Sequence, residues 1–499
     1  METDTAVPPP AFADPDRPAR LAGAFGAVDQ AFAEFRERHR VPGIAFGVVV
    51  DGTLAHAGGH GVQAADRPAP AGPRSVFRIA SMTKSFTAAA VLRLRDDGRL
   101  ALDDPAGAHV PELAALRGPT TDSGPVTIRQ LLTMAAGLVE DDPWADRHLA
   151  MPAAELSGQL RAGPPFNHPP GIGLEYSNLG YAILGRVIEA VSGQRAQEVI
   201  TERILRPLRM ADTTWDADRL AEDRRAVGHR WEDGRWVAEP PLADGAFGPM
   251  GGLATTVADF ARYAACHLDA WPPRDGPETG PLRRASIREM HQAWRARAPL
   301  PIARQPPPGM RDGYGYGLFC GDHDRLGRVV AHSGGLPGFG SQWLALPDHG
   351  VAVVGFANLT YAPVREAVWA AVWALEATGA LVPRSAAASP ALTAARDAVV
   401  ALYAAWDDAT ARALAADNLA LDRPLAQRRQ ELATLRASHG RCTAIGALRP
   451  LGALRGEWLM TCERGTLLAS LMLSPTRPPR LQSLTVAPAD PGALAPAGA

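Results

Sequence analysis

Residues 23–40, GAFGAVDQAFAEFRERHR, carry apolar side chains at helical spacing and predict a helix. Directly afterwards, GIAFGVVVDGTLAHAGGHGV reads as two short apolar runs meeting at Asp51-Gly52, a dipeptide suited to a two-residue hairpin turn. The helical period returns over 81–97, with Ser81 at the N-terminal edge. From about 100 to 300, segments such as TIRQLLTMAAGL, YAILGRVIEAVS and TTVADFARYAACHL keep that period between Pro/Gly-rich loops. Strand character reappears near 313. YGYGLFC, RVVAHSG, SQWLALP and VAVVGFAN are consecutive β-rich runs separated by turns. A helix, VREAVWAAVWALEA, follows them. It has Val364, Val368 and Val372 on one stripe and Trp369 and Trp373 on the next, as helix-on-sheet packing requires.

This order predicts an α/β (α+β) fold. One antiparallel sheet is assembled from both ends of residues 23–380, the first hairpin joining the last four strands, with helices on its faces. The central segment forms a mostly helical subdomain, and the site is expected in the cleft between the two. Residues 381–393 read as a linker, and 394–488 as a small α+β domain of two helices followed by three or four strands. That domain carries no nucleophile, metal or phosphate motif. Residues 1–22 read as a disordered N-terminal tail and 489–499 as a Pro/Ala tail.

Composition narrows the class. Apolar content of 46% and charged content of 21% are ordinary for a soluble globular protein. A net charge of −2 and the lack of a basic stripe predict no nucleic-acid footprint. The acidic, Pro-rich start does not look like a secretion signal, and no apolar run approaches the roughly 18 residues of a membrane span. The expectation is a cytoplasmic protein without membrane partners. Of four cysteines, Cys266 and Cys320 look like small core residues, and Cys442 and Cys462 like neighbours on adjacent strands. A reducing compartment argues against a disulfide, and no Cys/His spacing resembles a zinc site. Asn358 begins a glycosylation sequon that such a compartment does not use.

One composition detail points to chemistry. Lys84 is the only lysine, so every other member of the 51 Lys and Arg residues is arginine. A chain that drifts to arginine everywhere else keeps one amine, and an amine can lose its proton where a guanidinium cannot. Ser81 stands three residues before it, one helical turn away on the same face. At ordinary serine frequency that spacing arises by chance about once in fifteen times. At a helix start, Ser81 also meets free N–H groups and the positive end of the dipole. The pair suits a nucleophilic hydroxyl with a desolvated lysine as base.

Two further motifs fit the same chemistry. Tyr176-Ser177-Asn178 is the only place where a tyrosine is followed by Asn at the second position. A tyrosine hydroxyl can shuttle a proton, and Asn178 can donate to a substrate carbonyl and hold Lys84. A core tyrosine with an asparagine capping the next helix reads equally well from these residues alone. His332-Ser333-Gly334 ends a strand of the proposed sheet, and the glycines after it permit close backbone approach to a ligand. An N–H there can pair with that of Ser81 as an oxyanion hole. His56-Ala57-Gly58 has the same pattern without that setting. Asp141, Asp142 and Trp144, in EDDPWADRH, either line the pocket or form a solvated loop anchored by the tryptophan.

The ordered set Ser81-x-x-Lys84, Tyr176-x-Asn178 and His332-x-Gly334 resembles the serine β-lactamase and penicillin-binding-protein superfamily. The likeness is to the branch holding class C β-lactamases, D-amino-acid peptidases and related esterases, and it covers about residues 25–378. The flanking stretches VFRIASMTKSFTAAAVLRLRDDGRLALDDP and MGGLATTVADFARY are similar to that family. The resemblance implies Ser81 as acylated nucleophile, with Lys84 and Tyr176 as acid/base pair and Asn178 as a substrate ligand. It puts His332 beside the substrate carboxylate or Tyr176, and the N–H groups of Ser81 and Gly335 in the oxyanion hole, with no metal or cofactor. Its partner would be a small ester, amide or peptide. The chain departs from class C enzymes, which carry Lys-Thr-Gly where this one has His332-Ser333-Gly334, and so is closer to the peptidase and D-amidase members. Met134 stands where the family often has histidine. The C-terminal region resembles nuclear transport factor 2-like or lipocalin-like appendages, its helix-before-strand order favouring the former.

The leading expectation is therefore a serine hydrolase of an ester or amide, with D-amino-acid peptides among its candidate substrates. The alternatives are an acyltransferase or peptide cyclase with the same acyl-serine chemistry, and a non-turnover penicillin-binding-type sensor. Oligomeric state is left open.

Overall fold

The run GIAFGVVV forms β1 (Gly43–Val50) and turns through Asp51 (φ 51°) and Gly52 (φ 81°) into β2 (Thr53–Ala64). Positive φ at both turn residues matches the right-handed twist of the flanking strands, and Asp-Gly is among the dipeptides that adopt it most readily. The computed structural model describes residues 11–296, 307–384, 387–490, 492 and 494. The chain divides into two units, Pro15–Trp271 with Glu278–Val382, and Pro383–Ala499 with two short pieces from elsewhere.

In the larger unit, β1 and β2 are followed by β3 (Arg67–Pro70), β4 (Arg295–Ala296), β5 (Met310–Tyr314), β6 (Phe319–His323), β7 (Gly327–Leu336), β8 (Phe339–Leu346) and β9 (Val351–Ala357). They build one sheet in the order β3-β2-β1-β9-β8-β7-β6-β5-β4, with antiparallel pairing throughout. The early hairpin joins the late strands through β1 and β9, with Ile44 opposite Ala357 and Val50 opposite Val351.

β1 is buried along its whole length because both faces are covered. Phe46, Val48 and Val50 enter a core shared with α1 (Arg17–Ala22), α2 (Phe25–Arg38) and α3 (Arg365–Glu376). Ala45 and Val49 enter the core of the helical subdomain. Period-two alternation thus divides one strand between two hydrophobic layers. Val368 and Val372 are buried in the first layer as expected, and Trp369 stacks on Trp373 at 5.7 Å between centroids.

Several boundaries differ from expectation. The N-terminal tail was expected to run to residue 22, but Arg17–Ala22 is helical. Leu21 is buried there, and Arg17 pairs with Asp51 at 2.9 Å. A Pro-rich lead-in hid a single helical turn anchored by one apolar side chain. Residues 1–10 lie outside the described residues. In TIRQLLTMAAGL only Ile128–Leu132 is helical, opened by a Thr127/Gln130 capping box, and the chain leaves the helix through Met134 at φ 55°. The linker expected over 381–393 ends earlier, because Ser389 caps a helix that begins at Pro390.

Among its described residues the smaller unit holds four helices, Pro390–Ala404, Asp408–Leu414, Asp417–Asp422 and Leu425–His439, where two were expected. The two additional helices are only one or two turns long, below the length at which periodicity is legible. Five strands follow, in an antiparallel sheet whose edges are Leu481–Ala489 on one side and Cys442–Ile445 with Arg449–Gly452 on the other. Among the described residues this sheet is open, without the closed barrel of a lipocalin-like appendage. Cys442 lies directly opposite Cys462, and all four cysteines are free thiols. Asn358 is fully buried: its Oδ1 accepts from the Gly43 N–H at 2.6 Å and its Nδ2 donates to the Val62 and Gln63 carbonyls. It ties strands together and is closed to modification. Among the described residues no helix is long and apolar enough to cross a membrane.

Candidate active site

Phe77–Arg78 pairs as a two-residue strand with Ala254–Thr255, and the Ile79 N–H donates to the Leu253 carbonyl at 3.0 Å. The chain then turns through Ala80 at φ 50°, a region that non-glycine residues enter at a cost of about 1–3 kcal/mol. That turn delivers Ser81 to the head of α4 (Thr83–Asp96). Ser81 is 8% exposed and Lys84, one turn on, is fully buried. Lys84 Nζ donates to Ser81 Oγ at 2.8 Å, Asn178 Oδ1 at 2.6 Å and the Met250 carbonyl at 2.9 Å. Burial pushes the Lys84 amine down to about 8, against the pull of Asp142, Asp146 and Asp141.

A second helix, α5 (Asn178–Ser192), starts beside this pair. Its first N–H groups are held by Asp141, which accepts from Asn178 N at 2.7 Å and Leu179 N at 2.8 Å. Ser177 N–H donates to Met134 Sδ at 3.4 Å, and Glu175 N–H to the Met134 carbonyl at 2.8 Å. Met134 thereby holds the segment that carries Tyr176. Burial raises the Tyr176 pKa well above the ordinary tyrosine value, against the opposing pull of the neighbouring Ser81 hydroxyl. Lys84 Nζ sits 5.0 Å from the centre of its ring.

The third wall is the end of β7. His332 is 1% exposed, with Nε2 3.0 Å from the Tyr314 hydroxyl and its ring centroid 6.3 Å from that of Tyr176. At Gly334 the strand presses on the turn that carries Ser81. A Cβ there would lie 2.2 Å from the Ile79 carbonyl oxygen and 2.3 Å from Ser341 Oγ, which itself donates to that carbonyl at 2.8 Å. Gly334→Ala is therefore expected to force β7 away from Ser81. The expected reading is a lower thermal midpoint, from an overpacking cost of about 1–3 kcal/mol, with loss of activity in the protein that remains folded. At Gly335 an added Cβ would meet the Tyr361 ring at 2.7 Å. The other His-x-Gly lies elsewhere: His56 is in β2, 3.1 Å from Asp29 Oδ1 and stacked on Phe25.

The fold thus gathers Ser81, Lys84 and Asn178 into one hydrogen-bonded group, with the Tyr176 ring 5.0 Å from Lys84 Nζ, and brings His332, Gly334 and Gly335 alongside it. It also decides between the two readings of the loop EDDPWADRH and adds Asp146, Tyr361 and the Met250 carbonyl. Asp142 accepts a hydrogen bond from Asn178 Nδ2. Asp146 accepts from the Tyr361 hydroxyl at 3.0 Å, and burial together with Asp142 pushes its carboxyl up to about 7. Trp144 is 46% exposed and stacked on His148 at 4.2 Å. The loop is therefore both solvated and part of the site, its carboxylates reaching inward. The Met250 carbonyl carries no side-chain signal at all. Among the described residues, no group of three or more His, Cys, Asp or Glu side chains is arranged to hold a metal ion.

Comparison with known proteins agrees with this arrangement. The beta-lactamase family model matches residues 28–378. The chain is 28% identical over 334 residues to Protein flp of Staphylococcus aureus strain MW2, covering 66% of this chain and 62% of that protein, so it spans under two thirds of that relative's length. It is 30% identical over 338 residues to Penicillin-binding protein 4 of Amycolatopsis lactamdurans, covering 66% of this chain and 84% of that one. The octameric penicillin-binding protein homologue from Pyrococcus abyssi superposes with a TM-score of 0.60 at 21% identity, over 93% of this chain and 95% of that one, a likeness of fold. A match that takes in all three motifs and most of the chain, on a sheet and helical subdomain of the same architecture, shows that the protein belongs to the beta-lactamase family.

Proposed function

We propose that the protein is a serine hydrolase that cleaves an ester or amide through an acyl intermediate on Ser81. The observation that carries this reading is the fully buried Lys84 Nζ, 2.8 Å from Ser81 Oγ, in a setting whose burial lowers the amine's pKa to about 8. Lys84 as free amine takes the Ser81 proton while Oγ attacks the substrate carbonyl. The backbone N–H groups of Ser81 and Gly335 face the oxyanion, and the proton reaches the leaving group through Tyr176, whose hydroxyl neighbours Ser81. Water then attacks the acyl carbon by the reverse route and frees Ser81. Asn178 and His332 border the substrate. The substrate is an ester or amide of a small molecule, and D-amino-acid peptides belong among the amides to assay.

The test is intact-mass sampling during turnover of p-nitrophenyl butyrate. A transient butyryl adduct that maps to the peptide containing Ser81 supports the reading. Turnover without an adduct on that peptide, or an adduct elsewhere, overturns it. Added amine that diverts the acyl group from water would mark an acyltransferase, and an adduct that never turns over would mark a binding protein.

The pH dependence follows from Lys84. The base must be the neutral amine, so kcat/KM is expected to rise with pH through a midpoint near 8 and to fall about tenfold per unit well below it. A profile flat from pH 6 to 9, measured with the same ester, would argue against Lys84 as the base.

A further inference from the structure

We propose that Asp142 is a positioning residue which, by holding the Asn178 amide in one orientation, aims the free valence of Lys84 at Ser81. The proposal rests on the acyl-serine reading above and adds to it a residue that none of the three motifs contains.

The geometry runs through four side chains. Asn178 is fully buried, so its amide needs partners at both ends. Its Nδ2 donates to Asp142, and its Oδ1 accepts from Lys84 Nζ at 2.6 Å. A flipped amide would set an oxygen against the Asp142 carboxylate and an NH2 group against Lys84. Both contacts would lose their hydrogen bonds, so the carboxylate selects the orientation observed.

That orientation matters because of how the amine is satisfied. Nζ has three neighbours, Asn178 Oδ1, the Met250 carbonyl and Ser81 Oγ. The first two can only accept. A neutral amine has two N–H bonds and one lone pair. Two fixed acceptors take both N–H bonds, and tetrahedral geometry leaves the lone pair on Ser81 Oγ. If Asn178 turned its NH2 toward Lys84, the lone pair would be drawn to that donor and away from the serine. Asp142 itself is an exposed residue of the loop 140–148, outside the buried pair it orients. One hydrogen of Asn178 Nδ2 is committed to it, and the second is left for a substrate carbonyl.

Charge adds a second effect of the same residue. The titratable groups facing Lys84 are Asp141, Asp142 and Asp146 from the loop, and Tyr176 and Tyr181 from either side of the α5 start. His332 approaches from β7 behind Tyr176. Asp141 is committed to the helix N-terminus and Asp146 to Tyr361. Among these carboxylates Asp142 gives Lys84 its largest support as a cation. Removing its charge moves the Lys84 equilibrium toward the free amine, so the acid limb of the pH profile moves to lower pH.

Two variants separate the two effects. Asp142→Ala removes both acceptor and charge. Its kcat for p-nitrophenyl butyrate is expected to fall ten- to a hundredfold with KM within threefold of wild type, and its acid limb to move to lower pH. Asp142→Asn keeps an oxygen that can accept from Nδ2. It is expected to retain most of kcat while showing the same shift of the acid limb, a readout that a merely structural role would not move. The rate of butyryl-adduct formation, followed by intact mass, should track kcat. An Asp142→Ala protein that acylates at the wild-type rate with an unchanged acid limb overturns the inference. So does a rise in KM alone, which would make Asp142 a substrate contact, or a loss that only follows a lowered thermal midpoint. Wild type is the control that keeps the two levels apart. No adduct on wild-type Ser81 defeats the acyl-serine reading itself, whereas a normal wild-type adduct with an unaltered Asp142→Ala defeats only the role given to Asp142.

Discussion

Replacing Lys84 with arginine is expected to leave a folded protein and to lower turnover of p-nitrophenyl butyrate by about a hundredfold to ten-thousandfold. Arginine keeps the positive charge and can still donate to Asn178 Oδ1 and the Met250 carbonyl. It cannot supply a lone pair at any accessible pH. The larger guanidinium enters a fully buried site, where overpacking typically costs about 1–3 kcal/mol. Circular dichroism and a thermal melt therefore accompany the kinetics, so that loss of base is not confused with loss of fold. The pH profile supplies an independent check. Wild type should gain activity through a midpoint near 8, and the arginine variant should show no such rise. A folded variant with more than about a tenth of wild-type activity would mean that Lys84 is not the base.

Ser81→Ala is expected to reduce turnover to the background of free solution, a loss of about ten-thousandfold or more, and to abolish the butyryl adduct. The change deletes one oxygen and leaves Lys84 with its bonds to Asn178 and Met250, so the thermal midpoint should stay close to that of wild type. Mass and rate must fail together. An adduct that persists on Ser81→Ala would place the nucleophile elsewhere, and turnover that persists without an adduct would point to direct attack by water.

Much of this site is legible in the chain because its signals are local. Ser81 and Lys84 share a helix face through spacing alone, and a single lysine among arginines marks the one amine the chain keeps. Asp51-Gly52 names its own turn, and the unbroken apolar runs in GIAFGVVV and VAVVGFAN mark strands, which the fold buries on both faces. Short or weakly periodic pieces were less legible. The turn of helix at Arg17–Ala22 and the two short C-terminal helices span too few residues for a period to show, and the helix at Ile128–Leu132 ends at a backbone turn rather than at a break in the apolar pattern.

By itself, then, the sequence determined the longer elements, the placing of Ser81 and Lys84 on one helix face, and the family whose motifs it shares. These are written in contacts one turn apart and in residue types that have no substitute. Tertiary structure alone decided which distant groups complete the site. Asn178 reaches Lys84 across 94 positions and Tyr361 reaches Asp146 across 215. Gly334 meets the Ile79 carbonyl only because β7 packs on the turn before α4. Asp142 belongs to this second class. Read along the chain it is one acid in a polar loop, and its role arises only when that loop folds back onto the start of α5 and sets a carboxylate beside a buried amide. Periodicity records which way a side chain faces, whereas the partner it meets there depends on how remote segments pack, and hydrogen bonds over such separations leave no mark in the local pattern.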